Sequence, residues 1–352
     1  MKPAFWAGRR VLLTGHTGFK GSWLALWLQR AGANVFGVAR DVPTEPSLFD
    51  LAGIGSHMVS REGDIRNLAF MEAALAEHRP EIVFHLAAQP LVRRSYEQPL
   101  ETYSSNVLGT VTVLEALRRA PFVRAALIVT SDKCYENDGR AEPFSEADPL
   151  GGADPYSSSK GAAELVTAAY RNSFFPAPKQ TVVATVRAGN VIGGGDWGAD
   201  RLVPDVMQAL VAGKSPIIRS PDSVRPWQHV LDCLNGYLIL AERISNAGRE
   251  YSGAWNFGPD PNQSRNVRYV VDYLCHAWQP HAAWRGDVNP QPPEARYLQL
   301  DSSKAHTRLS WQPRFTLDGA LDSVVGWYRA YAASDDMRRV TLDQIESFEQ
   351  NQ

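Results

Sequence analysis

The stretch that most constrains this chain is Thr14-Gly-His-Thr-Gly-Phe-Lys-Gly21, close to its N-terminus. It follows an apolar run at 10–14 and opens a segment, 20–31, whose apolar residues recur at three and four. Gly15 permits a tight turn, Gly18 lets backbone approach a phosphate pair, and Gly21 lets a helix pack close on the strand. His16, Thr17, Phe19 and Lys20 complete the turn, and the helix start offers free N–H groups and partial positive charge to a pyrophosphate. The GxxGxxG pattern alone is weak. Its place between a predicted strand and a predicted helix is what gives it weight.

The same alternation continues. Short apolar, β-branched runs at 34–38, 81–86, 125–130 and 181–187 lack polar alternation, as strands buried on both faces do. Helical spacing fills 67–78, 99–119 and 155–175 between them. This βαβ order predicts an α/β fold with a Rossmann-type doubly wound parallel sheet. After Arg187 the texture turns to glycine- and proline-rich loops; a helix at 230–244 and a strand at 254–257 then return to the sheet. The expected division is a dinucleotide-binding domain, 1–189 with 226–258 returning, and a smaller mixed α/β substrate domain, 190–225 and 259–352.

A net charge of -2 over 352 residues argues against nucleic acid or an anionic membrane as partner. Cys134, Cys233 and Cys275 have neither metal-ligand nor disulfide-framework spacing, so no metal is expected and a reducing cytoplasm is. No signal peptide or apolar span of membrane length is evident.

Chemistry is concentrated where the fourth apolar run ends. Ser131, Asp132 and Lys133 follow it in succession, and Tyr156 and Lys160 stand one helical turn apart after Pro155. A neighbouring ammonium favours phenolate, so Lys160 is expected to lower the Tyr156 pKa. Such a phenolate takes a proton from a sugar hydroxyl while a nicotinamide takes the hydride. Consecutive residues of a strand face opposite ways, so Asp132 and Lys133 reach one substrate only if the chain leaves strand geometry there. The bland reading is an exposed Asp–Lys pair worth under about 1 kcal/mol.

The full length resembles the extended short-chain dehydrogenase/reductases, and within them the nucleotide-sugar 4,6-dehydratases. The stretches carrying the resemblance are GHTGFKGSWL (15–24), PTEPSLF (43–49), HLAAQPLVRRSY (85–96), SDKCYEN (131–137), DPLGG (148–152), DPYSSSK (154–160), RAGNVIGGGDW (187–197) and RPWQHVL (225–231). In the dehydratases that act on dTDP-glucose the positions of Asp132 and Lys133 carry Asp-Glu; Lys133 resembles the branch acting on CDP-glucose. The resemblance implies an internal redox cycle on NAD. Tyr156, assisted by Ser131 and Lys160, serves oxidation at C4, with Lys133 as base at C5 and Asp132 as acid at C6.

For the cofactor the resemblance adds Asp64 and Ile65 near the adenine, the small Leu86-Ala87-Ala88 turn, and Asn106. Ala39 stands where an acidic residue is expected at the second strand end, and Arg40 suits a 2′-phosphate. NAD remains the expectation, because the resemblance implies it, with Asp41 placed to reach the ribose or repel that phosphate. For the nucleotide sugar, Asn190 resembles a diphosphate-binding position, and Arg201, Arg225 and Arg296 suit phosphate contacts. Gln89 and Arg94 are weaker candidates; His85 and Cys134 read as packing residues. Helices 99–119 and 155–175 are expected to pair across a two-fold axis in a homodimer, with a tetramer also open. A 4-epimerase or ketoreductase shares the turn and the Tyr/Lys pair but has no use for Asp132 and Lys133. A nonenzymatic nucleotide sensor usually loses the Tyr or the Lys.

Overall fold

A computed structural model describes residues 1–176, 181–287 and 297–350. Its centre is a seven-stranded sheet: β1 (Arg10–Thr14), β2 (Asn34–Ala39), β3 (Val59–Glu62), β4 (Ile82–His85), β5 (Ala125–Val129), β6 (Val182–Ala188) and the strand Gly253–Phe257. Their spatial order is Gly253–Phe257, β6, β5, β4, β1, β2, β3, and every pairing is parallel. The order reverses between β1 and β4, which opens a crevice at their carboxyl ends.

The sequence dictates this burial. Along β1, Val11 and Leu13 face one apolar cluster with Trp23 and Trp27, while Leu12 faces another with Phe36 and Val83. Both faces are therefore covered, by helices such as Phe19–Arg30 on one side and Leu68–His78 on the other. β3 is the exception: its Val-Ser-Arg-Glu residues are largely exposed at the sheet edge.

The expected helix 99–119 is present but interrupted. Pro99–Tyr103 and Gly109–Arg118 are joined by a π-helical turn, Ser104–Leu108, closed by the Gly109 N–H donating to the Ser104 carbonyl. The turn carries the buried Asn106 toward the end of β4. Outside the large sheet, the strand Asn190–Ile192 pairs with Trp227–His229, and Val224–Arg225 with Arg265–Asn266. Helices Val267–Trp278, Leu317–Ala332 and Met337–Gln350 pack here, with Trp197 lodged among Trp327, Tyr328 and Tyr331. No described helix is long and apolar enough to cross a membrane.

Candidate active site

The crevice begins at the glycine turn. Gly15 has φ +74°, and a Cβ there would lie 2.7 Å from the Ala87 nitrogen. The turn after β1 thus touches Leu86-Ala87-Ala88 after β4, and the Thr14 hydroxyl accepts from the Ala87 N–H at 3.2 Å. A Cβ on Gly21 would lie 2.1 Å from the Gly15 carbonyl oxygen, so helix and turn meet backbone to backbone. Gly18 starts helix Phe19–Arg30 without a side-chain cap, and a Cβ there would meet only the Gly15 carbonyl oxygen, at 3.5 Å. Open space before uncapped N–H groups fits the pyrophosphate of a dinucleotide.

Side chains of the turn are mostly turned to structure. His16 is buried against Gly37, its Nε2 is 2.7 Å from the Ser60 hydroxyl, and burial lowers its pKa to about 4. Thr17 donates to the Asp41 carbonyl at 2.7 Å, and Phe19 packs on the core. Lys20 is half-buried, with its charge felt at Lys160. At the end where the adenine is expected, Arg40 binds Asp41 (3.0 Å) and Glu101 (2.7 Å). Arg66 bridges Glu101 (2.8 Å) to Asp64, whose carboxylate it holds through Nε and Nη2. Asp64 is thus committed to Arg66, while Ile65 packs beside Gly109.

Asn106 is turned inward. Its Oδ1 accepts from the Gln89 N–H (2.8 Å), and its Nδ2 donates to the Gln89 carbonyl (3.1 Å) and the Ser159 hydroxyl (2.9 Å). It therefore ties the end of β4 to the helix of Tyr156. The Gln89 side chain bonds Leu91 and Thr102. Arg94 is exposed and donates to Gln98. His85 is packed, 2.7 Å from the Thr14 hydroxyl, and Cys134 is fully buried.

At the end of β5 the chain leaves strand geometry, as the alternation argument required. Ser131 caps a 3₁₀ turn, Asp132–Cys134, its hydroxyl accepting from the Lys133 N–H at 3.2 Å and donating to Asp132 Oδ1 at 2.9 Å. Asp132 is buried and its Oδ2 has no protein partner. Burial raises its pKa, against the charges of Lys133 and Arg225 and the Ser131 bond. Asp154 caps helix Pro155–Phe174, which delivers Tyr156 and Lys160 on one face. Lys160 Nζ is 3.4 Å from the Val129 carbonyl; burial, then the charge of Lys20, lowers its pKa to about 8.

Tyr156 departs from expectation. Burial pushes its phenol up to about 12, although a Ser131 hydrogen bond and the charge of Arg201 pull the other way. Desolvation outweighs the cations the chain itself supplies. Of the substrate-side residues, Arg201 pairs with Asp196 at 3.0 Å and acts on Tyr156, and Arg225, 9% exposed, acts on Asp132. Asn190 is half-buried opposite Trp227. Arg296 lies outside the described residues. Sequence reasoning missed Glu164 and Arg187, an ion pair buried beside the Ser131 turn. The available signal was spacing, since Glu164 follows Lys160 by one helical turn.

Residues 11–258 match the NAD dependent epimerase/dehydratase family. The chain is 50% identical to a CDP-glucose 4,6-dehydratase of Salmonella typhimurium, covering 98% of this chain and 97% of that protein. It is 28% identical to a dTDP-glucose 4,6-dehydratase of Xanthomonas campestris, over 90% and 92%. A UDP-glucose 4-epimerase structure from Thermotoga maritima shares the fold, with TM-score 0.80 at 22% identity, covering 91% of this chain and 99% of that one.

Proposed function

The chain belongs to the NAD-dependent epimerase/dehydratase family, and from that premise we propose that it converts CDP-glucose to CDP-4-keto-6-deoxyglucose. The observation that carries the reading is an acid and a base on one turn beside a Tyr/Lys pair, in a chain half identical to a CDP-glucose dehydratase. NAD, when bound, supplies a cationic nicotinamide that accepts a hydride from C4 and returns one to C6.

The chain's residues supply the proton chemistry. Tyr156 takes the proton of the C4 hydroxyl, with Ser131 bonded to it. Lys160, lowered only to about 8, stays mostly charged at neutral pH and favours the phenolate. The C4 ketone acidifies the C5 proton, which Lys133 removes. Asp132, whose pKa burial raises, donates a proton to the C6 hydroxyl as it leaves as water. Asn190, Arg201 and Arg225 belong to the face that holds the diphosphate, in the substrate domain.

The protein works as a homodimer. Leu100, Leu108, Leu165 and Phe174 are 86%, 60%, 60% and 44% exposed, and all lie on the two helical segments expected to pair. Its three buried free cysteines suit a reducing cytoplasm.

The test is incubation of purified protein with CDP-, dTDP-, GDP- and UDP-glucose, following the 4-keto product in alkali. CDP-glucose is expected to be consumed in preference. Preference for another nucleotide, or a product that retains the C6 hydroxyl, overturns the reading.

A further inference from the structure

Glu164 and Arg187 are each 3% exposed. The guanidinium holds the carboxylate as a fork, Nε to Oε1 at 2.9 Å and Nη2 to Oε2 at 2.8 Å. Each carboxylate oxygen also accepts a hydroxyl, from Thr130 at 2.5 Å and from Thr185 at 2.7 Å. The remaining nitrogen, Nη1, donates to the Tyr135 hydroxyl at 2.6 Å, and Tyr135 donates to Asn256 Oδ1 at 2.8 Å. Asn256 in turn donates to the Phe144 and Asp301 carbonyls at 2.9 and 3.1 Å.

Buried pairs are weak devices for stability alone, because desolvation offsets their attraction. What they add over apolar packing is direction, and the direction here is specific. Thr130 is the residue before Ser131, and Tyr135 is the residue after the Asp132–Cys134 turn. One ion pair therefore holds both ends of the segment that carries Ser131, Asp132 and Lys133. The turn also lies close against the helix of Tyr156 and Lys160. A Cβ on Gly161 would sit 3.3 Å from the Cys134 carbonyl oxygen and 2.6 Å from that of Gly151. Glu164 is two helical turns beyond Tyr156, so the pair links the segment serving C5 and C6 to the helix serving C4.

We propose that the Glu164–Arg187 pair, with Tyr135, is a positioning device for the elimination half of the reaction. It fixes the Ser131–Lys133 segment against the Tyr156 helix, so that acid and base meet the ring whose C4 hydroxyl Tyr156 holds. This rests on the dehydration reading above. A misplacement of about 1 Å costs a reaction up to roughly 10²-fold, and elimination needs two groups aimed from the turn at once.

The discriminating variant is Tyr135→Phe, which removes one hydroxyl and keeps the ring stacked on Phe144, centroids 5.1 Å apart. Single-turnover measurements with CDP-glucose should show substrate binding and formation of reduced nicotinamide within a few-fold of wild type. Entry of solvent deuterium at C5 and release of product should slow roughly 10-fold, and reduced nicotinamide should build up in the steady state. Arg187→Lys, which keeps the charge and loses the fork, should give the same split. A uniform fall in all steps, or a lower melting temperature with the step ratio unchanged, overturns the proposal alone. Wild-type protein that releases no 4-keto product from any of the four nucleotide sugars overturns it together with the dehydration reading.

Discussion

Two arginines, one joining two carboxylates and the other a carboxylate and a hydroxyl, mark the two ends of the crevice and behave differently. Arg40, at the adenine end, bridges Asp41 and Glu101 with 48% of its side chain exposed. Arg187, at the chemical end, bridges Glu164 and Tyr135 with 3% exposed. Water screens the first, and an exposed pair of that kind is worth about 0–1 kcal/mol. The second is held in low dielectric, where removing one partner costs about 3–5 kcal/mol. The dinucleotide end relies on backbone and on missing Cβ atoms, at Gly15, Gly18 and Gly21. The chemical end relies on buried side chains, which is why Asp132, Tyr156 and Lys160 all have displaced pKa values.

The largest expected effect is therefore at the chemical end. Lys133→Met should slow elimination by roughly 10²–10⁴-fold, the contribution of a positioned proton acceptor. Binding and the first oxidation should survive, so reduced nicotinamide accumulates and solvent deuterium no longer enters C5. Tyr156→Phe should instead show no reduced nicotinamide. Full dehydratase turnover by the Lys133→Met protein sinks the assignment of the C5 base.

Arg187→Met comes next, and is read as stability. It leaves the Glu164 carboxylate buried without its fork, and urea unfolding at neutral pH should show a loss of about 3–5 kcal/mol. The pH dependence carries the sign. In the native protein burial would raise the Glu164 pKa, but Arg187, Thr130 and Thr185 outweigh it and the pKa is lowered. That contribution is present above the unfolded value of 4.5 and lost as pH falls through the folded one. Without Arg187 burial raises the folded pKa, so the variant gains stability as pH falls from neutral toward 4.5. A deficit that stays constant over that window means the carboxylate was never desolvated.

These cases also show what a sequence discloses. Strands β1, β2, β4, β5 and β6 are legible because both faces are buried and apolar runs record it. β3 is an exposed edge strand of polar residues and leaves no such record. The break after Val129 is legible from alternation, since an acid and a base cannot both face one substrate from a regular strand. The π-turn in 99–119 is not, because its Asn106 is held by Gln89 and Ser159, distant in sequence. The Tyr156 pKa was misjudged for a related reason: spacing reports Lys160, whereas desolvation depends on what covers the pocket. Glu164 is not legible, because a Glu one turn from a Lys has the pattern of a solvated helix face.

The smallest expected effect lies at the adenine end, and it tests whether exposure is what separates the two ends. Glu101 accepts from Arg40 at 2.7 Å and from Arg66 at 2.8 Å, with 27% of its side chain exposed against 48% and 30% for its partners. Glu101→Gln keeps the shape and removes one charge. In screened surroundings that should change stability by less than about 1 kcal/mol, and by less still in high salt. The ribose hydroxyls of NAD are neutral, so its affinity should hardly move. A 2′-phosphate would meet two arginines with one carboxylate fewer, and NADP affinity should rise by under about fivefold, the equivalent of that energy. NAD should still bind tighter in calorimetry, because Asp41 remains beside Arg40. A destabilisation of several kcal/mol, or a switch of preference to NADP, means that Glu101 is held as tightly as Glu164 and that exposure does not divide the crevice.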